Sequence, residues 1–416
     1  MTTHTTRARP PQRTHRSTPA VPWLRTPRRR RAWWWALPWL LAGCAPSTDN
    51  EPAPAPLAVQ DVLGGGGTEG FARATEPPGL TFPRDHGAHP AFRTEWWYVT
   101  GNVDAANGRR FGVQVVFFRQ ALAPTAPPRD AALAAHELIL AHAAVTDVGG
   151  RRFHHAERLA RRAAGLGEIT GPHDDEPFRV VCADWSLRAL PDGDGFLPLE
   201  LRAGDAGADG AFAFTLRLDP GKPLVLQGDR GLSQKSGERG NASIYYSMTR
   251  LPLAGTIELD GERHDVRGLG WLDREWSTSA LGGDQVGWDW FSLQLDDGTE
   301  VMWYQLRRSD GSVDPWSRGC LVAADGTKTP LDPANVTATP LGAWTADDGR
   351  ARYPAAFRLT SSTPAFDLEV APLLADQELR VVVRYWEGAV GVRGTRDGRS
   401  VQGRGYLEMT GYTLPR

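Results

Sequence analysis

Cysteine is scarce in this chain: three residues in 416, at positions 44, 182 and 320. A disulfide framework is therefore excluded, and Cys182 and Cys320 read as two separate buried thiols, with a bridge between the halves of the chain as the alternative. No Gly-x-Ser-x-Gly element occurs, which removes the serine elbow of an α/β-hydrolase. The nearest approach to a zincin helix, His136-Glu137-Leu138-Ile139-Leu140-Ala141-His142, sets its second histidine two places too late and alternates like a strand. His154-His155 reads as a surface pair, so no metal and no cofactor is expected. Gly228-Asp229-Arg230-Gly231-Leu232-Ser233-Gln234-Lys235 lacks the Gly-Lys-Ser/Thr order of a P-loop and reads as a polar loop at a cavity mouth. Acids are missing from residues 1–43, which carry nine arginines.

That basic segment ends in the short apolar run Ala32 to Gly43, below the length of a comfortable bilayer span. A basic region, a short apolar region and small residues make a secretory signal over 1–43. Leu41-Ala42-Gly43-Cys44 resembles the bacterial lipobox, so Cys44 is expected to be acylated and to tie the protein to the membrane. Ala45 after it favours the outer membrane, facing the periplasm. Removing nine arginines leaves 38 basic against 49 acidic side chains, a net charge of about −11. A body of that sign is a poor partner for nucleic acid. Residues 44–87, rich in Pro, Ala and Gly, read as a disordered tether.

The globule carries one octet twice. Val266-Arg267-Gly268-Leu269-Gly270-Trp271-Leu272-Asp273 returns as Val401-Gln402-Gly403-Arg404-Gly405-Tyr406-Leu407-Glu408. A looser pair opens each half, Trp97-Tyr98-Val99-Thr100 against Trp290-Phe291-Ser292-Leu293. A domain-sized period indicates a duplicated domain and not a solenoid. Phe111, Val113, Val115 and Phe117 share one face of an alternating strand, and Asp-Gly turns recur at 260–261, 297–298, 310–311 and 397–398. Two antiparallel β-barrels in tandem are expected, over 88–278 and 279–416, with one short helix at about His154 to Ala164. Glycine in the closing strand of each allows bending and close backbone approach.

Tryptophan beside carboxylate is the remaining chemical signal. Eleven of the sixteen tryptophans follow Cys44, most of them near acids, as in Glu95-Trp96-Trp97-Tyr98 and Trp271-Leu272-Asp273-Arg274-Glu275-Trp276. Indoles filling barrel ends account for most of them. The period-2 rule puts Glu95 with Trp97 on one face, and Trp271, Asp273 and Glu275 on another. A carboxyl desolvated among aromatics has a raised pKa and can serve as a general acid. Asp273, Glu95 and Glu275 are thus the candidate catalytic residues. Trp97, Tyr98, His142, Tyr246 and Trp271 are the candidate ligand-lining residues, with His142 read first as a hydrogen-bonded interior histidine.

Glu95–Gly101, Gly228–Lys235, Tyr245–Leu251 and Gly270–Trp276 together resemble the AttH-like proteins of the carotenoid 1,2-hydratase superfamily. The resemblance covers roughly residues 88 to 416. It implies tandem lipocalin-like (calycin-type) barrels and an apolar or isoprenoid-like ligand, with no cofactor. The hydratases of this superfamily add water across a terminal isoprenoid double bond, pairing an aromatic-x-Asp element with a His-x-Trp element. Trp271-x-Asp273 matches the first. The second is absent, its place taken by Tyr245-Tyr246-Ser247, which argues against carotenoid hydration itself. Two functions remain: a lipid-anchored binder of a hydrophobic small molecule or lipid, or a cofactor-free hydratase or hydrolase with Asp273 as proton donor, assisted by Glu95 or Glu275.

Overall fold

The computed structural model describes residues 67–125, 134–171, 176–207, 210–279 and 281–414. Residues 1–43 and Cys44 lie outside them. Among the described residues the fold is all-β, and the one helical turn is a 3-10 turn at Arg84–His86.

The first half opens with β1 Thr94–Ala105, β2 Arg110–Ala121, β3 Glu137–Asp147 and β4 Arg152–Arg161. Five shorter strands follow: β5 Gly167–Thr170, β6 Arg179–Cys182, β7 Trp185–Ala189, β8 Leu199–Asp205 and β9 Phe212–Leu218. β10 Val225–Leu226 and β11 Leu232–Gln234 lead into a long hairpin, β12 Ala242–Leu259 and β13 Glu262–Ser277. The second half begins with β14 Gln285–Leu295, β15 Glu300–Arg308, β16 Arg318–Val322 and β17 Lys328–Leu331. It continues with β18 Val336–Thr345, β19 Arg352–Ser362, β20 Ala365–Pro372 and β21 Glu378–Arg380, and ends on the hairpin β22 Arg384–Arg396 and β23 Arg399–Met409.

The duplication is visible in the strand order. One antiparallel sheet runs β4-β3-β2-β1-β13-β12-β9-β8-β7-β6-β5, the other β17-β16-β15-β14-β23-β22-β20-β19-β18. The first curls until β3 and β4 pack against β6, a nearly closed barrel. Each closing hairpin turns through an Asp-Gly pair with both residues at positive φ, Asp260-Gly261 and Asp397-Gly398, as a type I′ turn requires. The looser half of the repeat is one place out. Tyr98 pairs with Asp273 and Trp290 with Glu408, so Tyr98, and not Trp97, is the counterpart of Trp290.

The repeated glycines mark close approach between strands. A Cβ on Gly405 would lie 2.2 Å from the Ser292 carbonyl oxygen, and one on Gly268 would lie 2.0 Å from that of Asn102. At Gly270 the nearest atom would stand at 3.4 Å. Gly405→Ala should therefore destabilise by about 1–3 kcal/mol, as overpacking does, while Gly270→Ala stays near neutral. Urea melts of both variants test the difference, and equal costs would remove this account of the repeat.

Two expectations fail here. The segment His154 to Ala164 is not a helix but lies mostly in β4, paired along its length with β3. His154 and Ala160 are buried while Leu159 stands 65% exposed, so cross-strand pairing overrides a weak helical pattern. The tether does not extend to residue 87. Ala74, Asp85 and His86 are buried, and the His86 ring stacks on Phe196 at 3.7 Å. Leu80 and Phe92 pack with Ile244, Tyr246 and Trp276, apolar contacts that a Pro/Gly-rich composition conceals. Cys182 and Cys320 are free and buried, and burial pushes both thiols up to about 12.

Candidate active site between the two sheets

Each sheet encloses a packed core. Trp97, Phe117, Trp185 and Leu216 belong to the core of the first, and Phe291, Trp303, Phe357 and Trp386 to that of the second. A third cluster, including Tyr98, Tyr245, Trp271, Trp290, Tyr304 and Tyr406, joins their outer faces, and there lies a cavity of about 110 Å³. The sequence reading looked for a pocket inside a barrel. The alternation that buries Trp97 in the first barrel turns its neighbours Trp96 and Tyr98 outward onto the second.

Strand register builds the walls. Ser247, Asp273, Tyr98, Val116, His142 and Glu157 stand directly opposite one another on successive strands, forming one row across β12, β13, β1, β2, β3 and β4. The second sheet supplies a matching row, Glu387, Glu408, Trp290 and Tyr304. The octet repeat makes Asp273 and Glu408 counterparts, and the duplication brings both to one cavity.

Asp273 is buried with three donors on its carboxylate. Ser247 Oγ and Trp271 Nε1 donate to Oδ1 at 2.6 and 2.7 Å, and the Tyr245 hydroxyl donates to Oδ2 at 2.5 Å. Trp290 of the second sheet donates to that hydroxyl at 3.2 Å. No basic side chain is bonded to Asp273 among the described residues; Arg274, next in sequence, points the other way. Burial raises the Asp273 carboxyl to about 7 against the pull of its donors. Across the cavity burial also raises Glu387, well above the ordinary range with Glu408 adding to it, and brings Glu408 to about 8. Burial is the main cause for both, and the charge of neighbouring acids adds to it. Tyr98 donates to Glu387, and Trp288 Nε1 donates to Glu408 at 3.2 Å.

Glu275 lines the cavity as an ion pair. Lys235 Nζ lies 3.1 Å from its Oε1 and 4.2 Å from the centre of the Tyr304 ring, and Ser243 donates to the same oxygen. Burial opposes the charge on Lys235, and Glu275 beside it raises its pKa. The Gly228–Lys235 loop thus ends on the cavity wall. His142 also lines it, its Nδ1 2.8 Å from the Tyr385 hydroxyl.

The remaining candidates are elsewhere. Glu95 faces the interior of the first barrel, where Arg119 binds one oxygen and Arg274 the other, the latter at 2.7 Å. Burial alone would raise its pKa, but the two guanidinium groups hold it well below the ordinary range, so Glu95 carries no proton to give. Trp97 lies under the Arg274 guanidinium at 3.7 Å. Tyr246 bonds His86 Nδ1 at 2.6 Å beneath the N-terminal segment. Neither touches the cavity, and Trp271 reaches it through Asp273 and Trp290. Conversely, Tyr245, Glu387 and Glu408 were not selected from the sequence. The acid repeated at the end of the octet was the signal for Glu408; Glu387 follows Trp386, so it carries the tryptophan-beside-carboxylate pattern that the sequence offered.

A family model described as AttH-like matches residues 73–412. Among solved structures, an AttH-type protein of Nitrosomonas europaea is 36% identical, with a TM-score of 0.70, 83% of this chain and 100% of that chain being covered. Kievitone hydratase of Nectria haematococca is 15% identical, with a TM-score of 0.61 over 82% of this chain and 95% of that one, a likeness of fold. No curated protein sequence matches the chain.

Proposed function

From the premise that the chain belongs to the AttH-like family, we propose that it catalyses acid–base addition of water to a carbon–carbon double bond of an apolar, isoprenoid-like substrate, or the reverse elimination. The observation that carries this is the meeting, in one aromatic cavity, of a proton-holding carboxyl pair and a carboxylate to which three donors point. Carboxyls whose surroundings set their affinities apart divide into acid and base. Glu387 gives its proton to one alkene carbon and the π electrons form the new C–H bond. The cation left on the other carbon faces the π surfaces of Tyr98 and Trp290. A water molecule bonds to that carbon and loses its proton to Asp273. The sequence reading made Asp273 the donor; its three hydrogen-bond donors suit it better to receive. The kievitone hydratase fold agrees with this chemistry in name and supplies no residue roles.

Binding without reaction is the second reading, and the aromatic walls favour it. A simple binder, however, gains nothing from burying uncompensated acids beside its ligand. Export, acylation at Cys44 and a periplasmic outer-membrane station complete the proposal. They are tested by fractionating a Cys44→Ser variant, and unchanged membrane retention would refute them.

The catalytic reading predicts that geraniol incubated with the protein in D₂O acquires one carbon-bound deuterium and one hydroxyl, read by mass spectrometry. Glu387→Gln and Asp273→Asn should each slow this about 10²–10⁴-fold, the usual worth of a positioned acid or base. The rate should rise as Asp273 ionises near pH 7 and fall as the pair loses its proton near pH 8 or above. Equal labelling by the parent and both variants, or none by the parent, would count against catalysis.

A further inference from the structure

His142 is fully buried, and its Nε2 has no hydrogen-bond partner among the described residues. An unsatisfied polar atom in such a place costs about 1–3 kcal/mol and calls for a reason. Its surroundings supply one. Nδ1 bonds the Tyr385 hydroxyl at 2.8 Å, and Tyr385 stands beside Glu387 on the cavity wall. On the other side Nε2 faces Glu157 Oε2 at 3.7 Å, directly opposite on β4. Glu157 is 27% exposed at its side chain and anchored by the Val382 amide at 3.2 Å. The groups form a file from solvent to the cavity carboxyl: Glu157, His142, Tyr385, Glu387. One gap, between Nε2 and Glu157, exceeds hydrogen-bond length, and a side-chain movement of under 1 Å closes it.

We propose that this file is the proton-loading path of the cavity, His142 relaying protons between solvent at Glu157 and the Glu387–Glu408 pair. The inference rests on the catalytic reading above, in which each hydration leaves Glu387 one proton short and Asp273 one proton richer. Apolar substrate in the cavity shuts out water at that moment. Glu157 gives a proton to Nε2, Nδ1–H passes its own to the Tyr385 oxygen, and the Tyr385 hydroxyl proton moves to Glu387. Charge and atoms balance at every station. The ring is left as the Nε2–H tautomer; once product leaves, water entering the cavity that His142 lines gives Nδ1 a proton as Nε2–H returns its own to Glu157, and the Tyr385 hydroxyl rotates back. The same file run backwards unloads the pair.

The neighbourhood suits a relay and not a standing charge. Burial, with His155 adding to it, lowers the imidazole to about 3, so it rests neutral with one nitrogen free to accept. Burial raises Glu157, easing its protonation. Phe118 closes over the ring edge-on at 5.7 Å, and Tyr385 tilts against it at 5.6 Å. Among the described residues Asp273 has no comparable exit: Ser247, its link beyond the cavity, leads to Gln227 and so to Cys320.

The path is tested without substrate. A protonated buried carboxyl shows an infrared C=O band that shifts when its proton is replaced by deuterium. Stopped-flow mixing into D₂O near pH 8, where Asp273 is largely ionised, times that shift, and Glu387→Gln assigns the band. His142→Gln keeps a bond to Tyr385 but cannot relay, and Glu157→Gln removes the solvent end. Each should slow exchange about tenfold or more, and added imidazole should restore the rate to His142→Gln. Parent-rate exchange in both variants overturns the path. Slowed exchange with no alkene labelling by the parent leaves the path standing and removes the catalytic reading; labelling with unaltered exchange does the reverse.

Discussion

Asp273→Asn raises the stability of the protein at about pH 8 and lowers it by about 2 kcal/mol near pH 4, where the amide's cost is not offset. The carboxyl is ordinarily half-ionised at 3.8 and in the fold at about 7. A folded-state value above the unfolded one means stability is complete below about pH 4 and falls as pH rises through about 7. At roughly 1.4 kcal/mol for each pH unit between the two values, the folded protein forgoes about 4 kcal/mol. Asparagine does not ionise, so it recovers that amount less the cost of turning an amide N–H₂ toward Tyr245, Ser247 or Trp271. A net gain of about 2 kcal/mol is expected. Urea unfolding of parent and variant at the two pH values measures it. A variant no more stable at pH 8 than its parent would mean that Asp273 is ionised at no cost and that the cavity is wetter than its aromatic walls imply. The same substitution should slow alkene labelling about 10²–10⁴-fold, so stability at pH 8 and activity move in opposite directions, as at a strained functional site.

Replacing Glu95 does the reverse. Glu95→Gln strands Arg119 and Arg274, both fully buried, and should cost about 3–5 kcal/mol, the usual penalty for breaking a buried ion pair from one side. Arg119 keeps Glu137 at 2.8 Å, while Arg274 retains only the carbonyls of His86, Gly87 and Trp96. These carbonyls belong largely to the N-terminal segment, so its release should be the first local event, visible as faster amide exchange around residues 85–92. Here the folded pKa is depressed, so the stabilisation is present above the ordinary carboxylate value and lost on acidification. Folded Glu95→Gln should label alkenes at the parent rate. A large loss of rate without loss of stability would return Glu95 to the catalytic list.

These two acids, both beside tryptophan in the sequence, show what sequence alone determined and what it could not. The octet repeat, the Asp-Gly turns and the alternating strands fix the all-β duplicated architecture, because strand period and turn chemistry are local properties. The same local rule placed Asp273 with Glu275 and Glu95 with Trp97 on their faces, as found. It could not say which face was the interior of a barrel and which met the other barrel, since both are aromatic and both buried. That decision needs the pairing of Tyr98 with Asp273 and of Trp290 with Glu408, and the docking of two sheets that brings Glu387 within reach of Tyr98, 289 residues away. It also decides charge. Two arginines reach Glu95 and none reaches Asp273, so one acid is held ionised and the other takes up protons near neutrality. Spacing in the chain carries faces and turns; partners and solvent, which set a pKa, exist only once distant strands have met.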